Sequence, residues 1–170
     1  MNLIRYSILF CTMLMATHSF SQAPGLKVKV TKVEAPSKSG DKTEMINLKV
    51  DVENTGSTEF KDLLLHWYMV VDQTPEKPGN PKKTCVTGNK IISLKPKDTT
   101  SLQGTQVWVS KSGVGFFWNP AKREGWNPRY HGYGIRVLSG GKLVYADYFP
   151  KLTEKPILEF EAEQAANPKK

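Results

Sequence analysis

The sequence predicts an all-β protein, an antiparallel β-sandwich of about seven short strands. Apolar and polar residues alternate along several segments, turn residues separate these segments, and no segment outside the C-terminal tail has a mainly helical pattern. Alternation with period two gives each strand one apolar face, so the strands must pair into sheets that pack together. The chain of 170 residues is long enough for one such domain.

Residues 1–21 have the pattern of a secretory signal peptide. Arg5 supplies a positive charge, residues 8–16 form an apolar run, and small residues precede the cut that we expect after Ser21. Cleavage after Ala23 is the alternative. The apolar run is shorter than the about 20 residues that span a bilayer, which disfavours a permanent anchor. We expect export to the periplasm, the cell surface or the extracellular space, with no transmembrane segment after cleavage.

The mature chain has one cysteine and a positive net charge. Cys11 leaves with the signal peptide, so Cys85 remains alone and no internal disulfide can form. Loss of Arg5 leaves 23 basic and 16 acidic residues, a net charge of +7. The lysines are scattered, which predicts a weak, salt-sensitive attraction to anionic surfaces. No motif for specific nucleic-acid binding is present.

The strands follow from the apolar alternation. The clearest is at residues 46–53, with Ile46, Leu48, Val50 and Val52 on one face. Residues 60–71 are apolar on both faces, which predicts a central strand whose outer face is covered by a loop or a partner. Further strands are expected at residues 26–31, 90–94, 99–110, 133–137 and 143–149, with a turn at 54–57 and a tight hairpin at 139–141.

The sandwich is expected to occupy residues 24–150, followed by a tail at residues 151–170. Leu158, Phe160 and Ala162 alternate with glutamates, which predicts an edge strand followed by disorder. The same glutamate and alanine residues also favour a helix, so both interpretations stay open.

Two details favour an immunoglobulin-like sandwich. Trp67 lies in the middle of the third strand, where such domains bury a tryptophan, and Tyr133 is placed as in a tyrosine corner. Residues 50–56, 92–100 and 133–137 resemble secreted bacterial immunoglobulin-like modules of the CARDB (cell-adhesion-related) and fibronectin III types. This resemblance implies an exported β-sandwich and transfers no catalytic residues.

An aromatic segment at residues 111–130 is the candidate binding surface. Trp118-Asn119-Pro120 is echoed by a second Trp-Asn-Pro at residues 126–128. Indole rings stack on sugars and anchor protein partners. The alternative is that the rings fold inward and close one end of the sandwich. The candidate binding residues are Trp118, Arg123, Trp126, Arg129, Tyr130 and His131.

The sequence contains no recognisable catalytic set, metal site or cofactor motif. His66 and His131 are the mature histidines, and neither has ligand spacing. His66 is expected to be packed and hydrogen-bonded. We therefore predict a non-enzymatic binding or interaction module for an unknown protein or glycan. One alternative is a structural or assembly subunit that uses the outer face of residues 64–70. Another is a small hydrolase or an inhibitor scaffold that uses the irregular segment 111–130. Cys85 and His131 could be imagined as thiol and base, but no catalytic signature surrounds Cys85.

Overall fold

The computed structural model describes residues 23–35, 43–72, 82–110 and 128–167. The signal peptide and the cut after Ser21 lie outside these ranges. Within them the chain forms eight strands, one 3-10 turn and one helix. The elements are β1 (Leu26–Glu34), β2 (Thr43–Asn54), β3 (Phe60–Asp72), β4 (Lys83–Leu94), β5 (Thr99–Gln103), β6 (Val107–Ser110), β7 (Tyr130–Ser139), β8 (Lys142–Phe149), the 3-10 turn (Lys151–Thr153) and α1 (Glu154–Ala166).

The strands form two antiparallel four-stranded sheets. Sheet A has the order β1-β2-β5, and β6 also pairs with β2. Sheet B has the order β4-β3-β7-β8. The predicted antiparallel β-sandwich is confirmed. The prediction of an all-β chain was wrong, because α1 follows the last strand and the protein is mostly β with a C-terminal helix.

The core lies between the two sheets, as the alternation predicts. Ile46, Leu48, Val50 and Val52 of β2 are each at most 1% exposed. They pack in one cluster with Leu63, Leu65 and other inward residues of β3 and β7. Each fully buried aliphatic side chain contributes about 1.5–3 kcal/mol to folding. The two central strands therefore hold the sandwich together without a disulfide.

The buried indole of Trp67 lies beside an interruption in sheet A. Residues 99–110 were predicted to be one strand, but the structure has β5 and β6 with residues 104–106 between them. Trp67 Nε1 donates a hydrogen bond to Thr105 Oγ1 at 3.3 Å. A Cβ on Gly104 would lie 3.3 Å from the indole, and one on Gly88 would lie 2.5 Å from it. The interruption therefore lies beside the indole of Trp67, whose closest approach to the backbone is at Gly88 in β4.

Two strands extend further than the alternation predicts. β4 begins at Lys83 rather than at residue 90, and it pairs with β3 from Asp72↔Lys83 to the strand's end. β4 is an edge strand with many exposed positions, so it lacks a continuous apolar stripe. The first strand was expected at residues 26–31, but the register of β1 with β2 continues to Glu34↔Ile46. The side chains of these last residues of β1 are exposed, although the strand pairing continues.

The turn after β2 is held by an asparagine side chain. Asn54 is fully buried, and its Nδ2 donates to the carbonyl oxygens of Thr58, Leu94 and Lys95 at 2.8–3.2 Å. Neither Asn54 nor Gly56 has a positive φ in this turn. Gly25, just before β1, allows a close approach to this turn, since a Cβ on Gly25 would lie 2.9 Å from the backbone of Gly56.

The hairpin between β7 and β8 forms as predicted. Gly140 and Gly141 have φ of 54° and 78°, the left-handed values that a tight two-residue connection requires. Nothing lies within 4 Å of a Cβ placed on either residue. Their role is therefore conformational and is independent of packing.

The C-terminal tail forms α1, so the prediction of an edge strand was wrong and its helical alternative is observed. Ile157 is fully buried and Phe160 is partly buried in the same cluster. Positions three and four residues apart lie on one helix face, which orients Ile157, Phe160 and Glu161 alike. A Cβ on Gly134 would lie 2.5 Å from Ile157 Cδ1, so a glycine in β7 lets α1 approach sheet B closely.

Candidate functional site at the loop end of the sandwich

The two ends of the sandwich have connections of different length. Residues 55–59, 95–98 and 140–141 connect strands at one end, which we call the turn end. The longer connections β1–β2, β3–β4 and β6–β7 all leave from the opposite end, which we call the loop end. Residues 36–42, 73–81 and 111–127 of these connections lie outside the described ranges. Loops gathered at one end of a rigid sandwich are a common location for binding sites.

The ends of the aromatic segment are held together at the loop end. Ser110 N donates to Pro128 O at 3.0 Å, which joins the end of β6 to the approach to β7. Asp72 N donates to Arg129 O at 3.1 Å, which joins the same approach to the end of β3. The first bond closes a connection that starts in sheet A and ends in sheet B, and the second fixes the end of that connection to β3 of sheet B.

A buried carboxylate reinforces this anchor. Asp72 is 7% exposed, and its Oδ1 lies 2.6 Å from His131 Nε2. Its Oδ2 accepts a hydrogen bond from Arg129 N at 3.3 Å. The pairing of β3 with β7 shifts between Val70 and Val71, which places His131 at the irregularity. One carboxylate therefore fixes the backbone of Arg129 and the side chain of His131.

The structure places three of the six candidate binding residues. Arg129 is exposed, His131 retains 20% of its side-chain exposure, and Tyr130 is half-buried against the core. Lys32 Nζ lies 5.7 Å from the Tyr130 ring centroid. Burial raises the pKa of the Tyr130 hydroxyl, so it stays neutral. Trp118, Arg123 and Trp126 lie outside the described residues, so their predicted role stays a prediction.

Asp72 is the central residue that the sequence did not assign to this site. Its position at the end of an apolar strand is the available signal, because a carboxylate in that position needs a partner to be buried. The sequence did not show that His131, 59 residues later, supplies that partner. The pairing of β3 with β7 decides it.

The chemistry available at this site is hydrogen bonding and charge. An aspartate–histidine pair can orient a ring nitrogen toward a ligand, whereas covalent catalysis also needs an activated nucleophile. Cys85 is unsuited to that role. It is 8% exposed among Tyr68, Val70 and Ile157, and burial raises the pKa of its thiol to about 12. Reactive cysteines are exposed and have lowered pKa values.

A second polar cluster lies under α1, on the outer face of sheet B. Glu161 accepts a hydrogen bond from the Tyr68 hydroxyl through Oε1 and from Arg136 through Oε2. His66 Nδ1 lies 3.3 Å from the same hydroxyl. Burial lowers the pKa of His66, which favours the neutral ring. The predicted packed, hydrogen-bonded histidine is confirmed. The cluster attaches α1 to β3 and β7.

The described residues contain neither a candidate metal site nor a candidate membrane span. No three histidine, cysteine, aspartate or glutamate side chains in the described ranges come together in a way that would hold a metal ion. The described part of the chain also contains no helix with the length and apolar character of a membrane span.

No protein-family model and no curated protein matches the chain. The chain does match β-sandwich domains within glycoside hydrolases and small β-domain proteins among solved structures. The exo-chitosanase CsxA of Amycolatopsis orientalis is 15% identical over 73% of this chain and 12% of that chain, with a TM-score of 0.40. The β-glucosidase DesR of Streptomyces venezuelae is 14% identical over 72% of this chain and 14% of its own length, with a TM-score of 0.31.

Smaller proteins match at the same level. A protein from Akkermansia muciniphila is 15% identical over 75% of this chain and 72% of that chain, with a TM-score of 0.36. The chain spans only about an eighth of CsxA. These matches concern the fold alone, and no family is identified.

Proposed function

We propose that the chain is an exported, non-enzymatic binding module that contacts a glycan or a protein partner through the loop end. The observation that carries this proposal is the convergence of the three long connections on one end, with Asp72 anchoring the aromatic segment there. A ligand surface built from loops needs fixed loop ends, because each ordered residue otherwise costs conformational entropy on binding. Arg129 and His131 add hydrogen-bond donors at the base of this surface.

The proposal includes the immunoglobulin-like class of the sandwich. The order β4-β3-β7-β8 opposite β1-β2-β5 supports this class, as does the buried Trp67 in the third strand. Ala23 N donates to Val144 O at 3.0 Å, so the residues before β1 cross to the free edge of β8. This bond also favours cleavage after Ser21, which keeps Ala23 in the mature chain. The intact mass of the secreted protein tests that cut.

The experiment compares binding of the wild-type mature chain with that of a Trp118→Ala/Trp126→Ala double variant. A glycan array and a pull-down from culture supernatant supply the binding partners. We expect the double variant to lose the wild-type signal while its melting temperature stays unchanged. Trp108→Ala is the matched control, since Trp108 is 60% exposed on the outer face of sheet A. Wild-type binding that survives in the double variant would contradict the proposal.

The two alternatives have less support. The assembly subunit was suggested by the apolar outer face of residues 64–70, and α1 of the same chain covers Tyr68 and Val70 on that face. A hydrolase with Cys85 as nucleophile would need a reactive thiol, and the environment of Cys85 disfavours its thiolate. Light scattering of the purified chain tests the first alternative, and turnover of ester and amide substrates tests the second.

A further inference from the structure

A groove lies on the outer side of sheet B, between the start of β4 and the helix α1, and we call it the α1–β4 groove. Its volume is about 840 Å³, which is in the range of small-ligand sites. The residues that matter for its chemistry are Lys82, Lys83 and Thr84 on the β4 wall, and Pro156, Phe160 and Glu163 on the α1 wall. Ile157 and Glu161, which attach α1 to sheet B, do not line the groove.

The two walls of the groove carry opposite charges that do not meet. Lys82 and Lys83 are exposed on the β4 wall, and Glu163 is exposed on the α1 wall. None of these three side chains forms an ion pair within the described residues. Lys155 and Glu159, both on the α1 wall, pair with each other at 3.8 Å. The groove therefore separates two positive charges from one negative charge and leaves all three without a partner.

Apolar side chains also line the groove. Pro156 and Phe160 lie one helical turn apart on the same face of α1, and Phe160 is half-buried. Leu152, in the 3-10 turn at one end of the groove, is 83% exposed. Covering apolar area of this kind is favourable by about 25 cal/mol per Å². A ligand with an apolar part between its charges therefore matches the lining.

The groove also passes the free edge of β4. Consecutive side chains of a strand point to opposite faces, so a groove that contacts both Lys83 and Thr84 must pass the edge or the end of the strand. Within the described residues, β4 pairs with β3 and has no strand on its other side. The backbone groups of such an edge can pair with an added extended segment.

The length of the groove gives the size of that segment. From Lys155 to Glu163, α1 rises about 12 Å at about 1.5 Å per residue. An extended chain covers this distance with about four residues at about 3.3 Å each. A single amino acid would be too short to follow the whole wall.

We propose that the α1–β4 groove binds an extended peptide segment of about four residues that carries one acidic side chain, one basic side chain and apolar residues between them. The acidic side chain pairs with Lys82 and Lys83, and the basic side chain pairs with Glu163. The apolar residues contact Phe160, while the backbone of the segment pairs with the free edge of β4. This proposal does not rest on the loop-end site.

Calorimetric titration of the mature chain with three tetrapeptides, each acetylated and amidated, tests the proposal. The dipolar peptide is Glu-Val-Val-Lys, and the two peptides of single sign are Glu-Val-Val-Glu and Lys-Val-Val-Lys. We expect saturable binding of the dipolar peptide, at least about threefold tighter than that of either other peptide. Glu163→Lys should reverse this order in favour of Glu-Val-Val-Glu, because all the unpaired charges of the groove would then be positive.

A pair of charge reversals supplies the matched control. Lys83→Glu should weaken binding of the dipolar peptide about fivefold, since it replaces an attraction with a repulsion. Lys142→Glu makes the same change of charge at an exposed lysine at the turn end and should leave binding unchanged. The Trp118→Ala/Trp126→Ala variant should also bind the dipolar peptide as the wild type does, which separates this groove from the loop end.

Four results would overturn the proposal. The first is no saturable binding of the dipolar peptide by the wild-type chain up to about 10 mM. The second is tightest wild-type binding of Glu-Val-Val-Glu, because the net charge of the chain would then explain the binding. The third is equal weakening by Lys83→Glu and Lys142→Glu while both variants remain folded by circular dichroism. The fourth is a dimer in light scattering that Lys83→Glu dissociates, because a second copy would then occupy the groove.

Discussion

The outer faces of the two sheets differ in what covers them. On sheet B, α1 lies over Tyr68, Val70 and Cys85, and these three residues are at most 8% exposed. On sheet A, solvent contacts the outer side chains, including Lys27 and Trp108. The composition of the central strand therefore decides whether another element must pack on the outer face of the sheet. β3 is apolar on both faces and requires a third layer, whereas β2 alternates and requires none.

The largest expected effect on the free energy of unfolding comes from removing the main apolar contact between α1 and sheet B. Ile157→Ala should lower the free energy of unfolding by about 3 kcal/mol, because a fully buried side chain leaves a cavity between α1 and β7. Leu158→Ala, at an exposed position of the same helix, should change it by less than about 0.5 kcal/mol. Urea unfolding measures both. Equal effects would mean that α1 does not stabilise the fold through this face.

A matched valine pair compares the two outer faces directly. Val70 on sheet B is fully buried, and Val33 on sheet A is 40% exposed. We expect Val70→Ala to cost about 2 kcal/mol and Val33→Ala to cost less than about 0.5 kcal/mol. Thermal unfolding of both variants gives the comparison. A Val33 effect as large as that of Val70 would show that sheet A is also covered.

Removing the polar contacts that attach α1 to sheet B should lower the free energy of unfolding by a smaller amount. Glu161→Gln removes a carboxylate that accepts from Tyr68 and Arg136, so we expect a loss of about 1 kcal/mol at this partly exposed site. The thiol of Cys85 under the helix reports local opening, and its labelling rate should rise about fivefold. Glu159→Gln is the control, since Glu159 makes only an exposed pair with Lys155 at 3.8 Å. Identical labelling rates in the wild type, Glu161→Gln and Glu159→Gln would contradict the role assigned to Glu161.

The buried thiol of Cys85 also predicts that the stability of the fold depends on pH in the alkaline range. The folded pKa of Cys85 is about 12, above the about 8.5 of an unfolded thiol. Between these values the unfolded chain has lost the proton and the folded chain keeps it, so stability falls as the pH rises. Cys85→Ala should make that fall less steep. Unfolding curves at several pH values above neutrality measure this, and parallel slopes would contradict the burial of the thiol.

The exposed charge pairs of sheet A should give the smallest effect. Lys27→Ala breaks an ion pair with Glu53 whose two side chains are 68% and 42% exposed. Solvent screens such pairs, so we expect a change below about 0.5 kcal/mol in urea unfolding. A larger loss would mean that the exposed ion pairs of sheet A contribute to stability as α1 does on sheet B.

Part of the candidate site could be predicted from the sequence. The sequence places Arg129, Tyr130 and His131 next to each other, and the structure keeps them at the start of β7. It did not predict the contact of His131 with Asp72, because strand register decides that contact.

The sequence by itself determined which face of each core strand is buried, because alternation at residues such as Leu48 and Val50 is a local property of the chain. It also determined the Gly140-Gly141 hairpin, whose conformation only glycine adopts readily. Only the tertiary structure decided that the tail is a helix rather than a strand. The apolar outer face of β3 offers Ile157 a place to be buried, and Gly134 leaves room for it. That choice depends on residues distant in sequence, which no local pattern contains.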